Sequence, residues 1–362
     1  MKPSEIIGNS DIKKYLQRIV MSNRIGNSLL FSGPDGVGKG LFALELATML
    51  LGEENRERIF HRNHPDVREL RPEGKVAMHS MDALRSFISD VNLAPFEAKR
   101  KVFILLSADR MLPTSSNALL KTFEEPPQDT IIILLTSSPE LLLPTILSRC
   151  SKISFKPVPE MELVAWLQNH HQVSSEKEAC KVARLSKGSP GMAFKLLSEG
   201  ENTMRAKLLN ALCRAPFAHY GELKECVDSL TAEIDRIKKE NEESVRATLV
   251  EAYQSDASAA QKAAVEQEVQ GMASIQSMHE IEAFFKHFLS WFRDLHLLQL
   301  NGNRALLMNP DFEPELATVA QRGNLADLEV IQQSIKEART SIQRFTSVPA
   351  VLEALFLKTG VF

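Results

Sequence analysis

Over its first 160 residues the chain alternates short, uninterrupted apolar runs with stretches whose apolar residues recur every three or four positions. That alternation predicts strands buried on both faces and amphipathic helices between them, the pattern of a parallel sheet flanked by helices. Ser28–Ser32 (SLLFS) predicts a buried strand, Gly33–Lys39 the turn after it, and Leu41–Leu51 a helix. Val102–Leu106 and Ile131–Thr136 predict two more central strands, being apolar on both faces. Ile153–Phe155 predicts a short last strand, after which Pro157 and Pro159 break the chain. Beyond this point helical spacing takes over, so the expected division is an α/β domain over 1–160, a small helical domain over 161–202 and an all-helical domain over 203–362. Gly188-Ser189-Pro190-Gly191 predicts a turn between helices in the second. In the third, the charged segment 228–270 carries Leu230, Ile234 and Ile237 at helical spacing and reads equally as a coiled pair of helices, one long solvated helix or a partly ordered insert. Phe284, Phe285, Phe288, Leu289, Trp291, Phe292, Leu295 and Leu298 form a wide apolar face that must be core or subunit interface.

The bulk numbers narrow the class of protein. At 362 residues the chain is long enough for two or three cores, and 44% apolar with 25% charged residues is the mixture of a soluble globular protein. A formal net charge of −3 argues against a protein that wraps nucleic acid by itself. Cys150, Cys180, Cys213 and Cys226 stand far apart, without the short paired spacing of a zinc site, and are expected to be reduced thiols. Lys2–Glu5 offers no apolar leader core and no run approaches twenty apolar residues, so a cytoplasmic location is expected.

Gly33-Pro34-Asp35-Gly36-Val37-Gly38-Lys39-Gly40 lies between a predicted strand and a predicted helix, the setting of a phosphate-binding loop. In such a loop the glycines turn backbone N–H groups toward phosphate oxygens, and a helix N-terminus with a lysine adds positive potential. Gly33, Gly36, Gly38, Lys39 and Gly40 are therefore candidate nucleotide-binding residues. Gly40, however, stands where a Ser or Thr hydroxyl normally reaches Mg²⁺. The strand Val102–Leu106 ends on Leu106 and Ser107, where an Asp and a Glu would hold the metal and orient water. Asp109 arrives too late and, beside Arg110, reads better as a helix cap or an ion-pair partner. No metal site and no intrinsic ATP hydrolysis are expected, and any ATP or ADP in the loop is expected to bind weakly. Arg149, in Thr145-Ile146-Leu147-Ser148-Arg149-Cys150, reads on its own as a basic residue satisfying helix-end carbonyls.

Several stretches taken together are specific: SLLF with GPDGVGKG, Asn63-His64-Pro65-Asp66-Val67, Ala108-Asp109-Arg110-Met111, Asn117–Pro127 (NALLKTFEEPP), Ser148-Arg149-Cys150 and Gly188–Gly191. Over nearly 200 residues the chain resembles the clamp-loader family of AAA+ proteins, and within it the delta-prime branch of the bacterial DNA polymerase III clamp loader. The resemblance implies a RecA-like AAA+ core, a small helical lid and a helical collar that joins subunits. It implies a subunit without ATPase activity of its own, whose Ser-Arg-Cys arginine, here Arg149, acts catalytically in trans on a neighbour's ATP site. It further implies gamma/tau-type motor subunits, a delta subunit, a sliding clamp and primed DNA as partners. The small-domain arginine of active members is replaced here by Gly191, and the four-cysteine zinc module of most members has no counterpart in Leu51–Arg62, so no zinc is expected. The competing expectation is an active AAA+ ATPase of the same fold, against which Gly40, Leu106, Ser107 and Gly191 all count.

Overall fold

The computed structural model describes residues 6–360 apart from 74–77, 112, 171–172, 174, 200–203, 253–258, 323–325 and 345. Residues 1–5, part of the lid–collar junction and the middle of the charged segment thus lie outside the described residues, as do the side chains of Asn117 and Ala118. The chain forms two compact units, one comprising Met1–Leu197 with Glu242–Ser274, the other Ser198–Asn241 with Ile275–Phe362.

The first unit is built on a five-stranded sheet of β1 (Ser28–Ser32), β2 (Val67–Leu70), β3 (Lys101–Leu105), β4 (Thr130–Thr136) and β5 (Ser151–Ser154). All pairings are parallel and the order is β2-β3-β4-β1-β5, with Leu30 beside Leu134 and Phe103 beside Ile132. The three inner strands are buried along their whole length, which is why they read as continuous apolar runs. The outer two are four residues long and carry charge, Arg68 and Glu69 in β2 and Lys152 in β5, as edge strands exposed to water commonly do. β2 has no apolar run to betray it, and no strand was expected there. β3 begins and ends one residue earlier than the apolar run, and β5 two residues before Ile153.

Helices cover both faces: α1 (Ser10–Met21), α2 (Lys39–Leu51), α3 (Arg56–Phe60), α4 (Met81–Val91), α5 (Pro113–Glu124) and α6 (Pro144–Leu147). On one face Phe31, Val102 and Ile133 pack with Phe42 and Leu46 of α2, and on the other Leu30, Phe103 and Leu134 pack with Leu84 and Phe87 of α4 and Leu119 and Phe123 of α5. The small helical part is α7 (Glu160–His170), α8 (Glu176–Leu185) and α9 (Pro190–Glu199), closed around Leu163, Trp166, Leu167 and Val182.

The second unit contains α10 (Met204–Cys213), most of the descending α11 (Tyr220–Ala252), the later part of α12 (Ala259–Gln299), α13 (Glu313–Gln321), α14 (Leu328–Gln343) and α15 (Val348–Lys358). The aromatic face of α12 is its core: Phe284, Phe285, Phe288, Trp291, Phe292 and Leu295 pack with Leu208, Leu230, Ile335 and Phe356, and Leu289 and Leu298 lie at the margin. A buried carboxylate, Asp294, accepts hydrogen bonds from the backbone N–H groups of Met308 and Asn309 and so ties the following loop to α12.

The charged segment 228–270 belongs to two long helices rather than one. Leu230, Ile234 and Ile237 are buried in the core of the second unit, whereas residues 242–274, where Arg246 and Glu266 pair at 2.7 Å between the helices, group with the sheet. There the backbone at Gly271 lies so close to Pro72 that a Cβ would fall 2.3 Å from the Pro72 carbonyl oxygen, and Arg71 donates to Met272 Sδ at 2.9 Å.

Candidate functional site

The phosphate-type loop leaves the C-terminal end of β1 and enters α2 at Lys39, so the candidate residues Gly33, Gly36, Gly38, Lys39 and Gly40 do come together at one helix N-terminus. The Lys39 ammonium turns back on its own loop. It donates to the carbonyls of Gly33 at 2.5 Å and Pro34 at 2.8 Å and pairs with Asp35 at 3.6 Å. Two of its three N–H donors are thus taken by loop carbonyls, with the Asp35 carboxylate beside them as a charge partner. Burial lowers the proton affinity of Lys39, while the charges of Asp35 and Asp109 act the other way. At Gly40 a Cβ would meet no atom nearer than 3.9 Å, so packing does not demand glycine there.

The turn before α9 sits directly on this loop. Ser189 Oγ donates to the Asp35 carbonyl at 3.0 Å and Gly191 N–H donates to the Gly36 carbonyl at 3.0 Å. Gly36 has a φ of +73°, and a Cβ there would fall 2.3 Å from Ser189 Oγ; a Cβ at Gly191 would fall 3.1 Å from Gly36 Cα. The position where the resemblance leads one to expect a phosphate-sensing arginine is thus a point of close backbone contact, where any side chain would press on the loop.

Leu106 and Ser107 lie just past the C-terminal end of β3, Leu106 N–H donating to the Leu70 carbonyl and Ser107 adopting a left-handed φ of +49°. His79 backs this point. Its Nε2 lies 2.9 Å from the Leu106 carbonyl, and since a carbonyl accepts only, Nε2 carries the proton. The ring is fully buried, which pushes its pKa down to about 4 and keeps it neutral. Asp109 lies in the short helical turn Ala108–Arg110, where its charge acts on Arg110, and Thr136 Oγ1, at the end of β4, donates to its carboxylate at 2.5 Å.

The Asn-His-Pro-Asp stretch has a framework task. The buried Asp66 accepts N–H bonds from Phe96 at 2.6 Å, Glu97 at 2.9 Å and Ala98 at 2.8 Å. Burial alone would raise its pKa, but these three donors outweigh it and hold the carboxyl below its ordinary value. His64 Nδ1 accepts from Asp66 N–H and fixes the turn.

Arg149 follows α6 and immediately precedes β5. Its Nη1 donates to the Thr145 carbonyl at 2.9 Å, the helix-end contact the residue pattern suggested, and to Ser148 Oγ at 3.3 Å. Its Nη2 donates to Glu124 Oε1 at 2.5 Å. About a third of the side chain is exposed. The sequence pointed to Arg149 but not to Glu124 or Ser189. The one signal for Glu124 was a carboxylate in the last turn of a helix, where the dipole disfavours it.

Among the described residues no helix is long and apolar enough to cross a membrane, and no three His, Cys, Asp or Glu side chains come together as a metal site.

A family model described as DNA polymerase III, delta subunit, matches residues 8–159. The DNA polymerase III subunit delta' of Bacillus subtilis is 35% identical over 158 residues, covering 41% of this chain and 47% of that protein. That of Escherichia coli is 37% identical over 153 residues, covering 42% and 44%. The chain therefore spans a little under half the length of these two relatives. The replication factor C small subunit of Methanococcus maripaludis is 32% identical over 257 residues, covering 69% of this chain and 73% of that protein. With the five-stranded parallel sheet, the phosphate-type loop and the helical parts that follow, these matches mean that the chain belongs to the clamp-loader family of AAA+ proteins, its first 160 residues being similar to delta-prime subunits.

Proposed function

We propose that this chain is a cytoplasmic clamp-loader subunit of the delta-prime type, which hydrolyses no ATP itself and supplies Arg149 in trans to the ATP site of an adjoining motor subunit. The observation that carries the reading is the contact between the Gly188–Gly191 turn and the phosphate-type loop. The Gly36 carbonyl is taken by Gly191 N–H, the Asp35 carbonyl by Ser189, and the Lys39 ammonium by loop carbonyls and Asp35. No hydroxyl stands at position 40 and no carboxylate at 106 or 107, so a magnesium nucleotide lacks its usual metal ligands here. These residues do not fit the metal of such a group, and any ATP or ADP that enters is expected to bind weakly.

Arg149 is different in kind. Its guanidinium is permanently charged and remains partly exposed at a surface turn. In phosphoryl transfer, charge spreads over the terminal phosphate oxygens, and a preset N–H donor stabilises it without reorganisation at the moment of reaction. The partners of this reading are gamma/tau-type motor subunits, a delta subunit, a sliding clamp and primed DNA, with the helical second unit as the collar between subunits.

The test is ATP hydrolysis by the purified chain, alone and then assembled with motor subunits, a delta-type subunit, clamp and primed DNA. The expected result is no turnover alone, and turnover on assembly that falls tenfold or more with Arg149→Ala, equivalent to about 1.4 kcal/mol or more in the barrier. Turnover by the isolated chain that depends on Lys39 would overturn the reading in favour of an active ATPase.

A further inference from the structure

Arg149 has two contacts from its own turn, Thr145 and Ser148, and one from a residue 25 positions away, Glu124 at the last position of α5. The local contacts need no special residue, since any arginine at that place can reach a carbonyl four residues back. Glu124 does need explaining. The end of a helix presents carbonyl oxygens, so a carboxylate there works against the helix dipole unless a cation from outside answers it. Arg149 is that cation, at 2.5 Å. Both side chains are substantially exposed, and pairs of this kind add little to stability. What the pair does fix is where the guanidinium sits.

A guanidinium has five N–H donors. Two on Nη1 meet Thr145 and Ser148 and one on Nη2 meets Glu124, which leaves the Nε–H and the second Nη2–H uncommitted among the described residues. The group is seated without being exhausted.

We propose that Glu124 is the positioning residue for Arg149, holding the guanidinium so that its two remaining N–H groups face a phosphate oxygen of the neighbouring subunit's ATP. This rests on the reading of Arg149 as a group acting in trans. Glu124 touches no phosphate; it acts by removing rotamers from a long, flexible side chain, so that less ordering remains to be done when charge develops.

The experiment uses the assembled ring with clamp and primed DNA, and compares Glu124→Ala, Glu124→Gln, Arg149→Ala and the Glu124→Ala/Arg149→Ala double variant. Glu124→Ala is expected to lower kcat about two- to fivefold, the rate equivalent of an exposed charge pair, with the KM for ATP unchanged. Glu124→Gln, which keeps the accepting oxygen and loses the charge, should fall between Glu124→Ala and the unaltered protein. The double variant should be no slower than Arg149→Ala alone, because Glu124 has nothing to position once the arginine is gone. Incorporation into the ring, followed by gel filtration, should be unaltered for Glu124→Gln, which decides the matter if the alanine variant assembles poorly. If Arg149→Ala leaves turnover unchanged, the trans reading fails and this inference with it. If Arg149→Ala slows the ring while both Glu124 variants match or exceed the unaltered rate, or if the two losses add in the double variant, the positioning role alone is overturned.

Discussion

Lys39 opens the helix that follows β1, Arg149 stands just before the neighbouring strand β5, and both are cations of the kind that meet phosphate. The lysine is nine-tenths buried and turns back on its own loop, to two carbonyls and the Asp35 charge. The arginine is a third exposed and keeps donors in hand. An ATPase of this fold needs both halves, a cradle in cis and a cation in trans. Here the loop lysine folds back on its own backbone, whereas the arginine stays at the surface. A phosphate-loop motif in a sequence therefore says how the backbone curls, and only the neighbours of that loop say whether it has anything left to bind with.

The contrast breaks first if the two cations matter equally. In the assembled ring Arg149→Lys should slow ATP turnover about ten- to a hundredfold, 1.4 to 2.7 kcal/mol, because a lysine keeps the charge but lacks the fork. Lys39→Ala should leave steady-state turnover within about twofold, and a comparable loss at both positions would erase the distinction. Next in size is an acid response. His79 is held neutral by burial, with its pKa pushed down to about 4, while in the unfolded chain it titrates near 6.5. The unfolded state therefore takes up the proton first, so this contribution is fully present above about pH 6.5 and is lost as pH falls toward about 4. Stability should drop by about 2 kcal/mol between about pH 7.5 and pH 5. His64, whose pKa burial also lowers, adds in the same direction. Urea melts across that range should flatten with His79→Gln; an unchanged slope would mean that the ring is not part of the core behind Leu106.

Two glycines of the loop sharpen the comparison from within. Gly36→Ala forces a Cβ onto Ser189 Oγ at a positive φ and should destabilise by about 1–2 kcal/mol. Gly40→Ala sits in the first turn of α2 with room around it and should stabilise by about 0.5–1 kcal/mol. Denaturant midpoints that shift in opposite directions would support a loop clamped at one end and idle at the other; two shifts of the same sign would not.

The inner strands were legible because burial on both faces leaves a continuous apolar signature, as in IIILLT. β2 was not, because Arg68 and Glu69 occupy half of a four-residue edge strand and no periodicity survives at that length. The loop residues were legible as a motif, and the missing hydroxyl at Gly40 as a departure from it. What no motif announces is the contact that joins Gly36 to Gly191, since it runs backbone to backbone across about 155 residues and its requirement is the absence of side chains. Glu124 was hidden for a related reason: it appears inside NALLKTFEEPP as one more polar helix residue, and only the return of the chain through α6 brings Arg149 to it. Asp109 was read from its neighbour in sequence, and its further partner, Thr136, comes from the next strand of the sheet, which no local pattern shows.

The docking of residues 242–274 onto the segment after β2 bears on how the protein is made. Arg71 meets Met272 across 201 positions of sequence, so that contact cannot form until most of the chain has left the ribosome. At synthesis rates of about 5–20 residues per second, the 118 residues between the end of β5 and Met272 make the completed sheet wait roughly 6–24 s for it. Contacts of such separation slow folding. A nascent chain halted near residue 200 should therefore hold its central strands yet remain a chaperone client, maturing only when the returning helix arrives.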